Sequence, residues 1–164
     1  MSPKPKLIVF DLDYTLWPFW VDTHVTPPFH KGNGKIFDKY NNKIKCYPEV
    51  PNILQKLHKE GYQIGVASRT GEIDGAQQLI SLFDWKDYFG YKEIYPGSKV
   101  THFRRIKSKS GLSYDDMIFF DDEYRNIDDL TKEGVLSIFV RDGVSWKVIN
   151  EGLEEYAKKY NKEN

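Results

Sequence analysis

A chain of 164 residues with 40% hydrophobic and 15% aromatic content is long enough for one domain, 1–164, with a substantial core, and its composition excludes intrinsic disorder. Lys+Arg and Asp+Glu balance at 24 each, so no global basic field points to nucleic acid and no acidic excess points to a solvated tail. With a single cysteine, Cys46, no amino-terminal signal core and no long apolar span, the expectation is a soluble, monomeric, cytoplasmic protein without disulfides or a membrane partner.

Leu7-Ile8-Val9-Phe10 is a short apolar run of β-branched and aromatic residues, as expected of a strand buried on both faces of a parallel sheet. Asp11 and Asp13 follow at its carboxyl end, where open α/β sheets place their ligands, and i, i+2 spacing in extended backbone points both the same way. From Pro18 to Tyr47 the chain contains Pro18, Pro27, Pro28, Gly32 and Gly34 and reads as a surface excursion. Within it Lys35-Ile36-Phe37 and Lys43-Ile44-Lys45-Cys46, separated by Asn41-Asn42, predict a small hairpin.

The pattern becomes regular from Glu49. Val50, Ile53, Leu54, Leu57 and His58 fall on one helical face, with Pro51 in the first turn and Gly61 placed to end the helix. Gln63 to Ser68 predicts a second buried strand, Ile73 to Leu82 a helix, and Tyr91 to Ile94 a short strand. Ser98 is placed to cap a basic helix running towards Gly111. Met117 to Phe120 is another apolar strand ending in acids, Asp121 and Asp122. A helix through Ile127 and Leu130 ends near Gly134, Leu136 to Val140 forms a last strand, and Trp146 to Tyr160 a closing helix. Strands alternating with helices predict βαβ units on a parallel, Rossmann-like sheet.

Asp11 with Asp13, Ser68, Lys99, and Asp121 with Asp122 would all lie along one edge of such a sheet. Singly, each has an ordinary reading. An Asp-x-Asp pair is commonly a turn or cap, Asp121-Asp122 can simply begin a helix, and Lys99 belongs to a basic run with Arg104, Arg105, Lys107 and Lys109 of the kind that usually forms a solvated face. A calcium loop starting at Asp11 fails, since its sixth position is Leu16 and its twelfth Asp22. His24, His30, His58 and His102 show no ligand spacing, which favours core or surface roles, and Cys46 lacks a nucleophile signature and reads as a buried structural thiol.

Together and in this order, the features resemble the haloacid-dehalogenase-like (HAD) superfamily of phosphohydrolases, whose first motif, Asp-x-Asp-x-Thr, is met by Asp11, Asp13 and Thr15. The stretches Phe10 to Trp20, Ala67-Ser68-Arg69-Thr70, Ile94 to Phe103 and Phe119 to Glu123 resemble, more narrowly, the magnesium-dependent phosphatase-1 subfamily. The resemblance spans nearly the whole chain. It implies a three-layer α/β/α fold with a mainly parallel central sheet, Mg²⁺ as cofactor, and hydrolysis of a phosphomonoester through an aspartyl-phosphate. It also implies roles: Asp11 as nucleophile and metal ligand, Asp13 as general acid and base and as a metal ligand through its backbone carbonyl, Asp122 as metal ligand, and Ser68 and Lys99 as phosphate ligands. Arg69 is a further substrate-binding candidate. Glu123 and Asn126 lie beside the motifs, and Asp121 suits a supporting position.

The chemistry is consistent with these residue types. A carboxylate approaching a phosphate dianion is repelled, and a divalent cation held by hard oxygen ligands removes that repulsion. Were the Asp13 side chain to bind the metal its pKa would fall too far for acid work; turned away, it can protonate the leaving oxygen. Neither interval between motifs has room for a cap domain, so an open site is expected, admitting a phosphorylated small molecule or a phosphoprotein. Trp17, Phe19 and Trp20 either flank a phosphotyrosine or sugar ring or pack in the core. The subfamily resemblance implies activity on aryl phosphates, phosphotyrosine and some sugar phosphates. Two other readings use the same residues: a phosphotransferase of the same fold, and a non-catalytic, receiver-like phosphate sensor; receivers place their acid pair after the first strand and the phosphorylated Asp later in the chain, and this chain has the other order.

Overall fold

Leu7–Phe10 (β1) lies at the centre of a sheet because its side chains need cover on both faces: Leu7 and Val9 enter one hydrophobic cluster, Ile8 and Phe10 the other. The computed structural model describes residues 2–161. Beside β1 run Gln63–Ser68 (β5) and Met117–Asp121 (β7), with Phe89–Ile94 (β6) and Leu136–Phe139 (β8) outermost, in the order β6-β5-β1-β7-β8. Every pairing in this sheet is parallel. Parallel neighbours need crossover connections, and five helices supply or extend them: Val50–Lys59 (α1), Ile73–Leu82 (α2), Lys99–Ser110 (α3), Tyr124–Glu133 (α4) and Trp146–Tyr160 (α5).

The helices divide by face. Val50, Ile53, Leu54 and Leu57 of α1, Ala76, Leu79 and Ile80 of α2, and Ile149 and Tyr156 of α5 join the cluster of Ile8 and Phe10. Phe103 and Ile106 of α3 and Leu130 of α4 join that of Leu7 and Val9. The result is the three-layer α/β/α arrangement. Gly152 lets α5 seat on the sheet, since a Cβ there would stand 2.8 Å from the Phe120 ring. His58, placed with the apolar face of α1 by its spacing, is instead exposed; it sits at the helix end with its ring 5.3 Å from that of Tyr88.

The expected boundaries hold closely for α2 and α5, and Ser98 caps α3 by accepting from the Val100 N–H. Strands differ more at their ends: β6 begins two residues earlier than its apolar pattern, at Phe89, β7 runs on to Asp121, and β8 stops at Phe139. Between β1 and α1 the chain forms a three-stranded antiparallel sheet of His30–Gly32 (β2), Lys35–Phe37 (β3) and Lys43–Ile44 (β4). The β3-β4 hairpin was legible; β2 was not, although Asn33 (φ 51) and Gly34 (φ 74) make the two-residue Asn-Gly turn that favours a hairpin. This sheet is tied to α2 by Phe29 N–H donating to Gln78 (2.7 Å). Among the described residues no helix is long and apolar enough to cross a membrane.

Candidate active site

The parallel sheet puts β1 and β7 side by side with Phe10 opposite Phe120, so the acids that follow the two strands are neighbours. Asp11, Asp121 and Asp122 each offer a carboxylate oxygen, and these atoms lie within 4.8 Å of one another. Lys99 opens α3 directly opposite. Its ammonium is buried, 2.7 Å from Asp11 Oδ1 and 2.6 Å from Asp121 Oδ2. Burial alone would lower the Lys99 pKa, but the charges of Asp11 and Asp121 raise it, so the side chain stays cationic.

Each carboxylate has its own set of donors. Asp11 Oδ2 accepts from Thr15 Oγ1 (3.1 Å), so with Lys99 on Oδ1 both oxygens are oriented. Asp121 accepts from Lys99, from Asn126 Nδ2 (3.1 Å) and from the Glu123 N–H (2.8 Å). Asp121 is thus engaged by the protein itself. Burial, followed by the charge of Asp11, raises the pKa of both Asp121 and Asp122 above the usual carboxylate range. Closely set, partly buried carboxylates are a donor set that suits a hard divalent cation.

Asp13 faces elsewhere. After Leu12 the chain turns back on itself, with Tyr14 at positive φ and its N–H donating to the Trp17 carbonyl (2.7 Å). Asp13 Oδ1 accepts from Trp17 Nε1 (2.8 Å) and from the Val21 N–H (3.2 Å), and its side chain is not one of the clustered carboxylates. Burial, with a smaller push from Asp11, holds its pKa at about 7 despite those hydrogen bonds.

A cavity of about 250 Å³ opens over these groups and is lined by Asp11, Asp13, Ser68, Arg69, Lys99 and Asn126, among others. Ser68 Oγ accepts from the Thr70 N–H (3.2 Å), leaving its own proton available to a ligand. Arg69 Nε is buried with no hydrogen-bond partner in the protein. The sequence candidates Asp11, Asp13, Ser68, Arg69 and Lys99 therefore meet at one cavity, and Asp122 joins them through Asp11.

The aromatics beside the first motif separate. Trp17 and Phe19 are core residues, stacked with ring centroids 5.4 Å apart, whereas Trp20 is 48% exposed and lines the cavity. Asp22 and Thr23 line it as well; nothing in their local pattern marked them. His102 is buried and bound to backbone carbonyls. Arg105 and Lys107 lie over the Tyr95 and Tyr114 rings, and Lys109 pairs with Glu93 at 2.8 Å, so only Lys99 of that basic run enters the site. Cys46 is half-buried, and burial pushes its thiol pKa up to about 11.

Comparison with known proteins identifies the family. The acid phosphatase family profile matches residues 3–159. Human magnesium-dependent phosphatase 1 is 54% identical over 96% of this chain and 90% of its own length. A HAD-like hydrolase superfamily protein of Schizosaccharomyces pombe is 43% identical over 74% of this chain and 78% of its own. In fold, the chain is similar to a HAD family enzyme from Bacteroides thetaiotaomicron solved in complex with magnesium and inorganic phosphate, with a TM-score of 0.65 at 13% identity over 89% of this chain and 98% of that one. The chain belongs to the acid phosphatase family, within the HAD-like hydrolase superfamily.

Proposed function

We propose that this chain is a Mg²⁺-dependent phosphomonoesterase that works through an aspartyl-phosphate on Asp11, with aryl phosphates, protein phosphotyrosine or sugar phosphates as its substrate classes. The observation that carries the reading is the Lys99 ammonium, buried 2.7 Å from Asp11 Oδ1 beside a cavity lined by Ser68 and Arg69. An anionic nucleophile is thereby held next to fixed positive charge and donors, as phosphoryl transfer requires. The names of the human relative and of the Bacteroides complex support the same reading.

Asp11 and Asp122, with the Asp13 carbonyl, would hold Mg²⁺, and their hard oxygen donors fit it. When bound, the ion offsets the repulsion between the carboxylates and the phosphate dianion. The Asp11 carboxylate, with both oxygens oriented by Lys99 and Thr15, attacks phosphorus as the ester P–O bond breaks. Ser68 and Lys99 donate to the phosphoryl oxygens. Asp13, turned away from the acid cluster, gives its proton to the leaving oxygen. Ionised Asp13 then takes a proton from water, whose oxygen attacks phosphorus, releases inorganic phosphate and frees Asp11.

Aryl phosphate hydrolysis by the wild type, Asp11→Asn and Asp13→Asn, with Mg²⁺ and with chelator, tests the proposal. Activity is expected only with metal, and it is abolished in Asp11→Asn. Asp13→Asn is expected to lose more activity on alkyl than on aryl esters, because a phenol with a pKa of about 10 needs less help to leave. Metal-independent turnover, or full activity in Asp11→Asn, overturns the mechanism. A phosphotransferase would yield product to added alcohols in competition with water, and a receiver-like sensor would accumulate long-lived phosphoenzyme without turnover.

A further inference from the structure

We propose that Trp20, braced by His24, selects the leaving group, stacking on the flat face of an uncharged aryl ring esterified to the phosphate. This rests on the phosphatase reading above. Among the described residues Trp20 is one of the few large hydrophobic ones that remain exposed, and it is the one of these that lines the cavity of Asp11, Asp13 and Lys99. Its neighbours Trp17 and Phe19 are used up in the core, so the indole is the aromatic surface that the first motif presents to a ligand.

The indole is held rather than loose. Its ring stacks on His24 at 5.1 Å with an interplanar angle of 10°, and the Tyr14 ring meets it edge-on at 5.8 Å and 84°. The Trp20 N–H donates to His24 Nδ1 (2.9 Å), while the N–H groups of Thr23 and His24 donate to the Trp20 carbonyl (3.1 and 2.9 Å). Backbone and ring are therefore fixed before a substrate arrives, which lowers the entropy lost on stacking. Asp22 and Glu123 line the same cavity. With Arg69 and Lys99 of the same lining facing the phosphate charge, these carboxylates disfavour a leaving group that brings a second anion and leave a neutral ring as the better match.

Stacking holds substrate and transition state alike, so its loss appears mainly in KM. The test compares phenyl phosphate with ethyl phosphate, using the full chain with Mg²⁺. Trp20→Ala is expected to lower the phenyl-to-ethyl ratio of kcat/KM by about 3–10-fold, through KM for the aryl ester. Trp20→Phe is expected to restore much of the ratio, and His24→Ala, a positioning variant, to reproduce part of the KM rise. Should Trp20→Ala not fold, Trp20→Gln decides by the same ratio. An unchanged ratio, or an equal fall in kcat on both esters, overturns the inference alone, whereas a wild type that hydrolyses neither ester overturns the phosphatase reading with it. Asp22→Asn is expected to raise relative kcat/KM for 4-carboxyphenyl phosphate, and no rise overturns the preference for an uncharged ring.

Discussion

His102 Nε2 lies 2.8 Å from the Ser68 carbonyl oxygen and 2.7 Å from that of Tyr95, while Nδ1 lies 3.0 Å from the Ser98 carbonyl. All of these partners are acceptors, so a ring nitrogen that carries a proton donates to the carbonyls beside it. One buried imidazole thus ties the ends of β5 and β6 to the start of the helix that carries Lys99. Removing it leaves the Tyr95 carbonyl without this donor, while the Ser68 and Ser98 carbonyls keep the N–H groups of Tyr95 and Thr101; a buried carbonyl left unpaired costs about 1–3 kcal/mol. At roughly 2–4 °C per kcal/mol for a chain of this size, His102→Ala should melt several degrees lower. It should also turn over more slowly at temperatures where it remains folded, because Ser68 and Lys99 lose a common anchor. Thermal denaturation alongside kcat checks both effects, and an unchanged kcat would remove the positioning role.

Lys99 pairs with Asp11 and Asp121 at once. Lys99→Met keeps much of the volume but leaves those buried carboxylates facing each other without a cation, a change of the kind that costs about 3–5 kcal/mol. Urea denaturation in chelator should register the loss at neutral pH and a smaller one in acid, where the carboxylates take up protons. Phosphatase activity is expected to fall by orders of magnitude. Lys99→Arg should not rescue it, since a planar guanidinium does not fit the space of a buried ammonium.

Under the proposed function, Mg²⁺ should stabilise the fold independently of turnover. An ion that binds only the folded chain adds about 2.7 kcal/mol at a hundred times its Kd, seen as a Tm that climbs with metal concentration. Asp122→Asn should flatten that climb while leaving the metal-free Tm unchanged or higher, because it removes one member of a like-charged cluster. A full metal response in Asp122→Asn would exclude this residue as a ligand.

Asp38 governs acid stability of the excursion between β1 and α1. Its carboxylate accepts from the N–H groups of Thr26 (3.1 Å), Tyr40 (3.0 Å) and Asn42 (2.9 Å) and from Asn42 Nδ2 (3.2 Å). Burial pushes its pKa up, but these bonds together hold it below the usual carboxylate range. A depressed folded pKa contributes stability that is present above the unfolded value and lost as pH falls through the folded one. Asp38→Ala should therefore melt lower than wild type at pH 7, with the gap closing in acid as pH falls below the usual carboxylate pKa. A gap that stays constant down to pH 2 would contradict this assignment.

The regular elements were legible because their signals are local. The continuous apolar run of β1, the helical spacing of Val50, Ile53, Leu54 and Leu57, and the Ser98 cap each depend on a few successive residues. The short β2 strand escaped because its exposed residues carry no apolar alternation, and only the Asn33-Gly34 turn betrays it. His58 was misplaced since helical spacing does not say where the covering layer ends.

By itself the sequence determined that a buried strand ends in Asp11 and Asp13, and that similar strands end in Ser68 and in Asp121 with Asp122. Strand order is a long-range property, and only the tertiary structure decided that β7 adjoins β1 and so set Asp121 and Asp122 beside Asp11. It likewise drew Lys99 alone from a basic run into the core, where two carboxylates compensate its burial. The turn at Tyr14 aimed Asp13 at Trp17 and Val21, away from the acid cluster. That same reversal sent Trp17 inward and left Trp20 at the cavity mouth, a division that residue type cannot express because the three aromatics near the motif have equal reason to be buried.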